Sequence, residues 1–135
     1  MKESILKNKM ILAVDEELDI LSVMEEEVLE ACPNCKIHKT TNYYEAVEKI
    51  SSRNYDMVIL DISAARGLEL AQLAVRRRLP VAMLTAHPVS LEALRDSGQI
   101  KTQTYLPKER LGEIVPFLED VLRDQYGKAL HGKLG

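Results

Sequence analysis

The stretch Val58-Ile59-Leu60-Asp61 sets three consecutive apolar residues, two of them β-branched, directly against a carboxylate. Such a run reads as a strand buried on both faces, which is the environment of a strand inside a parallel sheet. Ligands and chemistry collect at the carboxyl ends of strands in open parallel sheets. The acid that closes this strand is therefore a candidate functional group.

The pattern repeats on either side. Met10-Ile11-Leu12-Ala13-Val14 is another apolar run and ends in Asp15-Glu16-Glu17, while Val81-Ala82-Met83-Leu84 follows Pro80 and ends in Thr85. Residues 37–40 form a short strand, and 102–106 form a fifth that ends at Pro107-Lys108. Between the strands the apolar spacing switches to that of amphipathic helices. A first helix starts at Leu18, carries Leu18, Leu21, Met24, Val28 and Leu29, and closes near Pro33. A second covers 43–50, with Ala46, Val47 and Ile50 on one face and Thr41 or Asn42 as its cap. A third runs over about 68–78 with Leu70, Leu73 and Ala74 inward. Ser90 caps a short helix at 91–94 that Gly98 stops. The last helix is predicted over 111–126, with Ile114, Val115, Leu118 and Leu122 inward. Pro116 falls inside it, which predicts a kink or a later true start.

Residues 1–9 read as a polar arm, 10–126 as one domain and 127–135 as a flexible tail. Strands alternating with helices require right-handed crossovers and a parallel sheet covered on both faces. The prediction is an α/β, doubly wound, five-stranded (βα)5 sheet with strand order 2-1-3-4-5.

Composition narrows the function classes. The 135 residues are 46% apolar and 29% charged, ordinary for a globular chain, and the net charge of −3 comes from interspersed signs, which leaves no footprint for nucleic acid. No apolar run approaches the length of a membrane span, and the start of the chain lacks the apolar core of a secretory signal, so a cytoplasmic protein is expected. Arg76-Arg77-Arg78 sits at the predicted end of the third helix, where cations complement the dipole. Cys32-Pro33-Asn34-Cys35 reads as a turn between helix and strand: one pair cannot complete a four-ligand zinc site, and a redox pair would sit at a helix N-terminus.

In the 2-1-3-4-5 order the first and third strands are neighbours at the topological switch point, so Asp15, Glu16 and Asp61 converge on one crevice. Unpaired carboxylates that close repel one another, and a hard cation such as Mg²⁺ resolves the repulsion. Thr85 adds a hydroxyl and Lys108 a mobile point charge suited to a phosphoryl group. Acid cluster, hydroxyl and ammonium together describe a site for moving a phosphoryl group onto a carboxylate.

These residues, as Val14-Asp15-Glu16-Glu17, Val58-Ile59-Leu60-Asp61, Leu84-Thr85-Ala86 and Tyr105-Leu106-Pro107-Lys108, resemble the receiver domain of two-component response regulators over roughly 10–122. The resemblance implies a flavodoxin-like fold and a phosphoaccepting signalling domain rather than an enzyme with its own substrate. It implies Asp61 as phosphoacceptor, and Asp15, Glu16, Asp61 and the backbone carbonyl of Ser63 as Mg²⁺ ligands. Thr85 and Lys108 would contact the phosphoryl oxygens, and Thr85 and Tyr105 would form a switch that biases the face of the fourth helix, fifth strand and last helix. It also implies a sensor histidine kinase or phosphotransfer protein as donor, an output partner that the sequence does not name, and a homodimer through that same face.

The chain departs from the family pattern in places. The loop from Asp61 to Gly67 is short and lacks the usual proline, Lys101-Thr102 stands where Gly-Ala usually precedes the fifth strand, and Glu109 follows Lys108 in place of a common proline. Ser63 and His87 occupy positions that in the family tune acyl-phosphate hydrolysis. Three other readings compete. A receiver-like module could bind partners without phosphorylation. A haloacid-dehalogenase-like phosphatase would need an acid where Ser63 stands. A flavin-binding domain would need a Ser/Thr/Gly-rich phosphate loop where Asp15-Glu16-Glu17 stands.

Overall fold

The structure, a computed structural model, describes residues 4–62, 66–86 and 105–134, the last ten of these as backbone only. Five parallel strands form one sheet: β1 Met10–Val14, β2 Lys36–Thr40, β3 Met57–Asp61, β4 Val81–Thr85 and β5 Tyr105–Pro107. Their order is β2-β1-β3-β4-β5, as predicted. The helices are α1 Leu18–Ala31, α2 Tyr43–Ser52, α3 Gly67–Arg76 and α4 Ile114–Leu134, the last preceded by a 3₁₀ turn, Lys108–Glu113. The short helix predicted at 91–94, the start of the fifth strand at 102–104, and His87 lie outside the described residues.

The sequence alternation decides which side chain joins which layer, because successive strand residues point to opposite faces. Ile11, Ala13, Met57, Ile59, Ala82 and Leu84 pack on one face against Leu21, Met24 and Val28 of α1 and Ile114 and Leu118 of α4. Leu12, Val14, Val58, Leu60 and Met83 face the other way, against Ala46 and Ile50 of α2 and Leu70, Ala71 and Ala74 of α3. Met57, Val58, Ile59 and Leu60 are fully buried, as a central strand under helices on both sides must be.

Several local expectations need correction. Leu18, the first residue of α1, is 70% exposed despite its helical spacing, and the buried face of the helix begins at Leu21. The polar arm is docked: Leu6 is fully buried in the α1/α4 layer, and the Ser4 hydroxyl donates to Glu119 on α4 at 2.8 Å. Asn42, not Thr41, caps α2, its side-chain oxygen accepting from the Glu45 amide at 3.0 Å. α3 ends at Arg76, and Arg78 turns the chain away with φ of 61°. Arg77 lies over the end of α2, donating to the carbonyls of Ile50 at 3.1 Å and Arg53 at 3.4 Å, so the basic run works partly as a tie between helices.

Pro116 is the third residue of α4, in the first turn, where its missing N–H would have no intrahelical partner. The true helix start is therefore later than 111. Residues 127–134, expected as a tail, continue α4. Lys128, Ala129, Leu130, Lys133 and Leu134 are strong helix formers, and Gly127 and Gly132 cost only about 1 kcal/mol each. Cys32 and Cys35 are free and buried in the turn between α1 and β2. Burial first, and then the neighbouring Cys32, push the Cys35 thiol up to about 11, so the free thiol stays protonated near neutral pH.

Candidate functional site

Each strand along the central crevice delivers one polar side chain at its carboxyl end. Asp61 is the last residue of β3 and Thr85 the last of β4, while Asp15 follows β1 and Lys108 follows β5. The ladder fixes their relation, pairing Val14 with Leu60, Asp61 with Leu84 and Thr85 with Pro107. Asp15, Asp61 and Thr85 are all buried, at 2%, 7% and 2% exposure, in a chain whose other described acids stay at or near the surface. Glu16 is exposed beside them and lines the same cleft.

Lys108 reaches back over this group. Its Nζ lies 2.8 Å from Asp61 Oδ2 and 2.9 Å from Asp15 Oδ2, with 12% of the side chain exposed. Distance alone would make both contacts hydrogen bonds, but only the one to Asp61 is aligned. Asp15 Oδ1 accepts the Glu17 amide at 2.8 Å, whereas the buried Oδ2 has a charge partner and no hydrogen-bond donor. Burial raises the Asp15 carboxyl above its ordinary value, against the lowering pull of the Glu17 amide and Lys108. Burial also works against the Lys108 cation, but its contacts with Asp61 and Asp15 outweigh it and hold the ammonium above its usual range.

The beginning of α3 is pressed against the end of β3. A Cβ added at Gly67 would collide with the Asp61 carbonyl oxygen and lie 2.7 Å from Ile62 Cα. Glycine at this position lets the start of α3 lie against the backbone at the end of β3. Ser63 itself lies outside the described residues.

A cleft of about 130 Å³ opens beside Asp61, lined by Asp15, Glu16, Thr41, Tyr43, Arg66 and Gly67 among others. Sequence reasoning missed three residues here. Glu17 Oε2 comes within 3.8 Å of Lys108, and Tyr43 and Arg66 form the cleft's outer wall from the starts of α2 and α3. Tyr105 is half-buried against the α2/α3 layer. Oxygen donors from Asp15, Glu16 and Asp61, one of them buried without a hydrogen bond, fit a hard divalent cation, although among the described residues no three acids, histidines or cysteines stand close enough to enclose a metal unaided. Mg²⁺ keeps several waters and takes one or two carboxylates, so a partial protein cage is compatible with it.

A family model described as the response regulator receiver domain matches residues 11–116. The chain belongs to this family. Among solved structures, the receiver domain is similar to a CheY-like response regulator receiver protein from Methanospirillum hungatei, at 18% identity and a TM-score of 0.72, covering 89% of this chain and 98% of that one. It is also similar to the N-terminal domain of a response regulator/sensory box/GGDEF three-domain protein from Carboxydothermus hydrogenoformans, at 24% identity and a TM-score of 0.71, covering 90% of this chain and 99% of that one. Response regulator protein TrrA from Thermotoga maritima, solved in complex with Mg²⁺-BeF, shares 32% identity at a TM-score of 0.61, covering 73% of this receiver domain and 85% of that chain. Comparison with curated proteins yields no match. Among the described residues no helix is long and apolar enough to cross a membrane.

Proposed function

We propose that this receiver domain accepts a phosphoryl group on Asp61 from the phosphohistidine of a sensor histidine kinase or phosphotransfer protein. One observation carries the reading: a buried carboxylate at the end of the central strand, held at 2.8 Å by a lysine, opens onto a cleft that a second buried acid shares. A carboxylate oxygen of Asp61 attacks phosphorus, the P–N bond of the donor breaks, and the electron pair returns to the imidazole. Asp15, Glu16, Asp61 and the Ser63 carbonyl would hold Mg²⁺, which when bound offsets the negative charge that gathers on the phosphoryl oxygens.

The remaining side chains have roles that follow from where they stand. Lys108 orients Asp61 now; once Asp61 becomes an acyl phosphate, its charge moves outward onto the phosphoryl oxygens and the flexible ammonium follows. Thr85, on the adjacent strand end, supplies a hydroxyl to the same oxygens. That displacement is relayed to half-buried Tyr105, changing the face formed by β5, α4 and the segment before β5. An output partner, or a second copy of the domain, would read that face. Such a domain works in the cytoplasm, where ATP-fed kinases present phosphohistidine.

Incubating the wild-type chain with acetyl phosphate and Mg²⁺ is expected to add one phosphate by intact mass, and Asp61→Asn to add none. A folded wild-type chain that gains no mass would overturn the phosphoacceptor reading. A fluoroberyllate complex is expected to show Thr85 and Tyr105 displaced; if both hold their positions while the ligand sits on Asp61, the switch alone is wrong.

A further inference from the structure

The cleft beside Asp61 has one wall that the phosphoacceptor chemistry leaves unexplained. Arg66, just ahead of α3, lays its guanidinium over the Tyr43 ring, 3.9 Å from the centroid, and 5.7 Å from that of Tyr44. Glu69, one turn along α3, fixes both partners: its Oε2 lies 3.6 Å from Arg66 Nε and accepts the Tyr43 hydroxyl at 2.8 Å. Three groups from the starts of two helices thus hold one guanidinium at the mouth of the cleft. Among the described residues lining it, Arg66 is the single cation, facing Asp15, Glu16 and Asp61. Lys108 is already engaged with Asp61 and Asp15 and does not line this opening.

We infer that Arg66 sets donor specificity, admitting dianionic phosphodonors to Asp61 past the carboxylates that would repel them. This rests on the phosphoacceptor reading. A donor phosphate with two negative charges enters past the carboxylates of Asp15, Glu16, Glu17 and Asp61, whose four charges Lys108 and a bound Mg²⁺ would offset only in part, and a fixed cation at the entrance lowers the remaining barrier most for the more highly charged donor. The chemistry past the entrance is unchanged. With acetyl phosphate, Asp61 attacks phosphorus and acetate leaves with the P–O electron pair. With phosphoramidate, ammonia leaves with the P–N pair. The two donors differ at the entrance, because acetyl phosphate is a dianion near neutral pH whereas phosphoramidate, with its own ammonium, carries one net negative charge. Arg66 is about half exposed, so its effect is screened by salt.

The test compares initial rates of phosphate uptake by the wild type, Arg66→Ala and Arg66→Lys from each donor, with Mg²⁺ constant and the circular dichroism of every variant recorded. Arg66→Ala is expected to slow uptake from acetyl phosphate about fivefold at low salt and less than about twofold from phosphoramidate, with the gap closing near 0.5 M salt. Arg66→Lys is expected to keep most of the acetyl phosphate rate, because the charge survives even though the planar stack does not. An equal slowing with both donors would reduce Arg66 to a structural prop and overturn the inference, as would unchanged rates with acetyl phosphate. A wild-type chain that takes phosphate from neither donor overturns the phosphoacceptor reading, and this inference with it.

Discussion

Lys108→Ala is expected to lower the stability of the metal-free domain by about 2 kcal/mol at neutral pH, and so its melting temperature by roughly 8 °C. The ammonium is the cation shared by two carboxylates whose side chains are 0% and 6% exposed. Removing one partner of such a group leaves uncompensated buried charge, which typically costs 3–5 kcal/mol when burial is complete. The figure is set lower here because Lys108 retains 12% exposure and water can enter where it stood. The pH dependence has a definite sign. Asp15 is already raised by burial, and losing Lys108 raises it further, so the folded variant binds a proton more tightly than the unfolded chain does. The deficit is therefore full at neutral pH and shrinks as pH falls toward the ordinary carboxylate range near about pH 4. Thermal unfolding in a chelator at several pH values reads it. A variant as stable as the wild type at neutral pH would show that the carboxylates do not depend on Lys108.

Mg²⁺ is expected to raise the melting temperature of the wild type and to leave Asp15→Asn nearly unmoved. A ligand that binds only the folded state stabilises it by mass action, about 1.4 kcal/mol at ten times its dissociation constant. Asp15 is buried and its carboxyl is held above its ordinary value even with the Lys108 ammonium 2.9 Å from Oδ2, so a divalent cation that adds to that charge favours its ionised form. In chelator the order of stabilities reverses, because the asparagine carries no charge to bury: Asp15→Asn is expected to melt above the wild type. Equal Mg²⁺ responses in both chains would remove Asp15 from the metal site.

The strand ends explain why so much of this was legible in the sequence. Val58 to Asp61, Met10 to Asp15 and Val81 to Thr85 are apolar runs that stop at a polar residue, and parallel register alone brings those stops to one edge. Only the sheet order is needed to place Asp15, Asp61, Thr85 and Lys108 together, and the β-α alternation supplies it. Arg66, Tyr43 and Glu69 were not legible for the opposite reason. They meet because two helices begin side by side in space, and neither spacing nor periodicity within one segment records that. Leu6 was hidden as a lone apolar residue in a polar arm, with no periodicity to reveal its docking against α1 and α4. The extent of the last helix was misjudged because Gly127 and Gly132 resemble stop signals, although each costs less than the surrounding helix formers can carry.

The most direct measurement of the central claim locates the bond itself. Wild-type chain treated with acetyl phosphate and Mg²⁺ is reduced with borohydride, which converts an aspartyl phosphate to homoserine, and the peptides are sequenced by mass. A single homoserine at position 61, absent when Mg²⁺ is chelated, is the expected result; phosphate or homoserine at any other residue, with Asp61 intact, would contradict it.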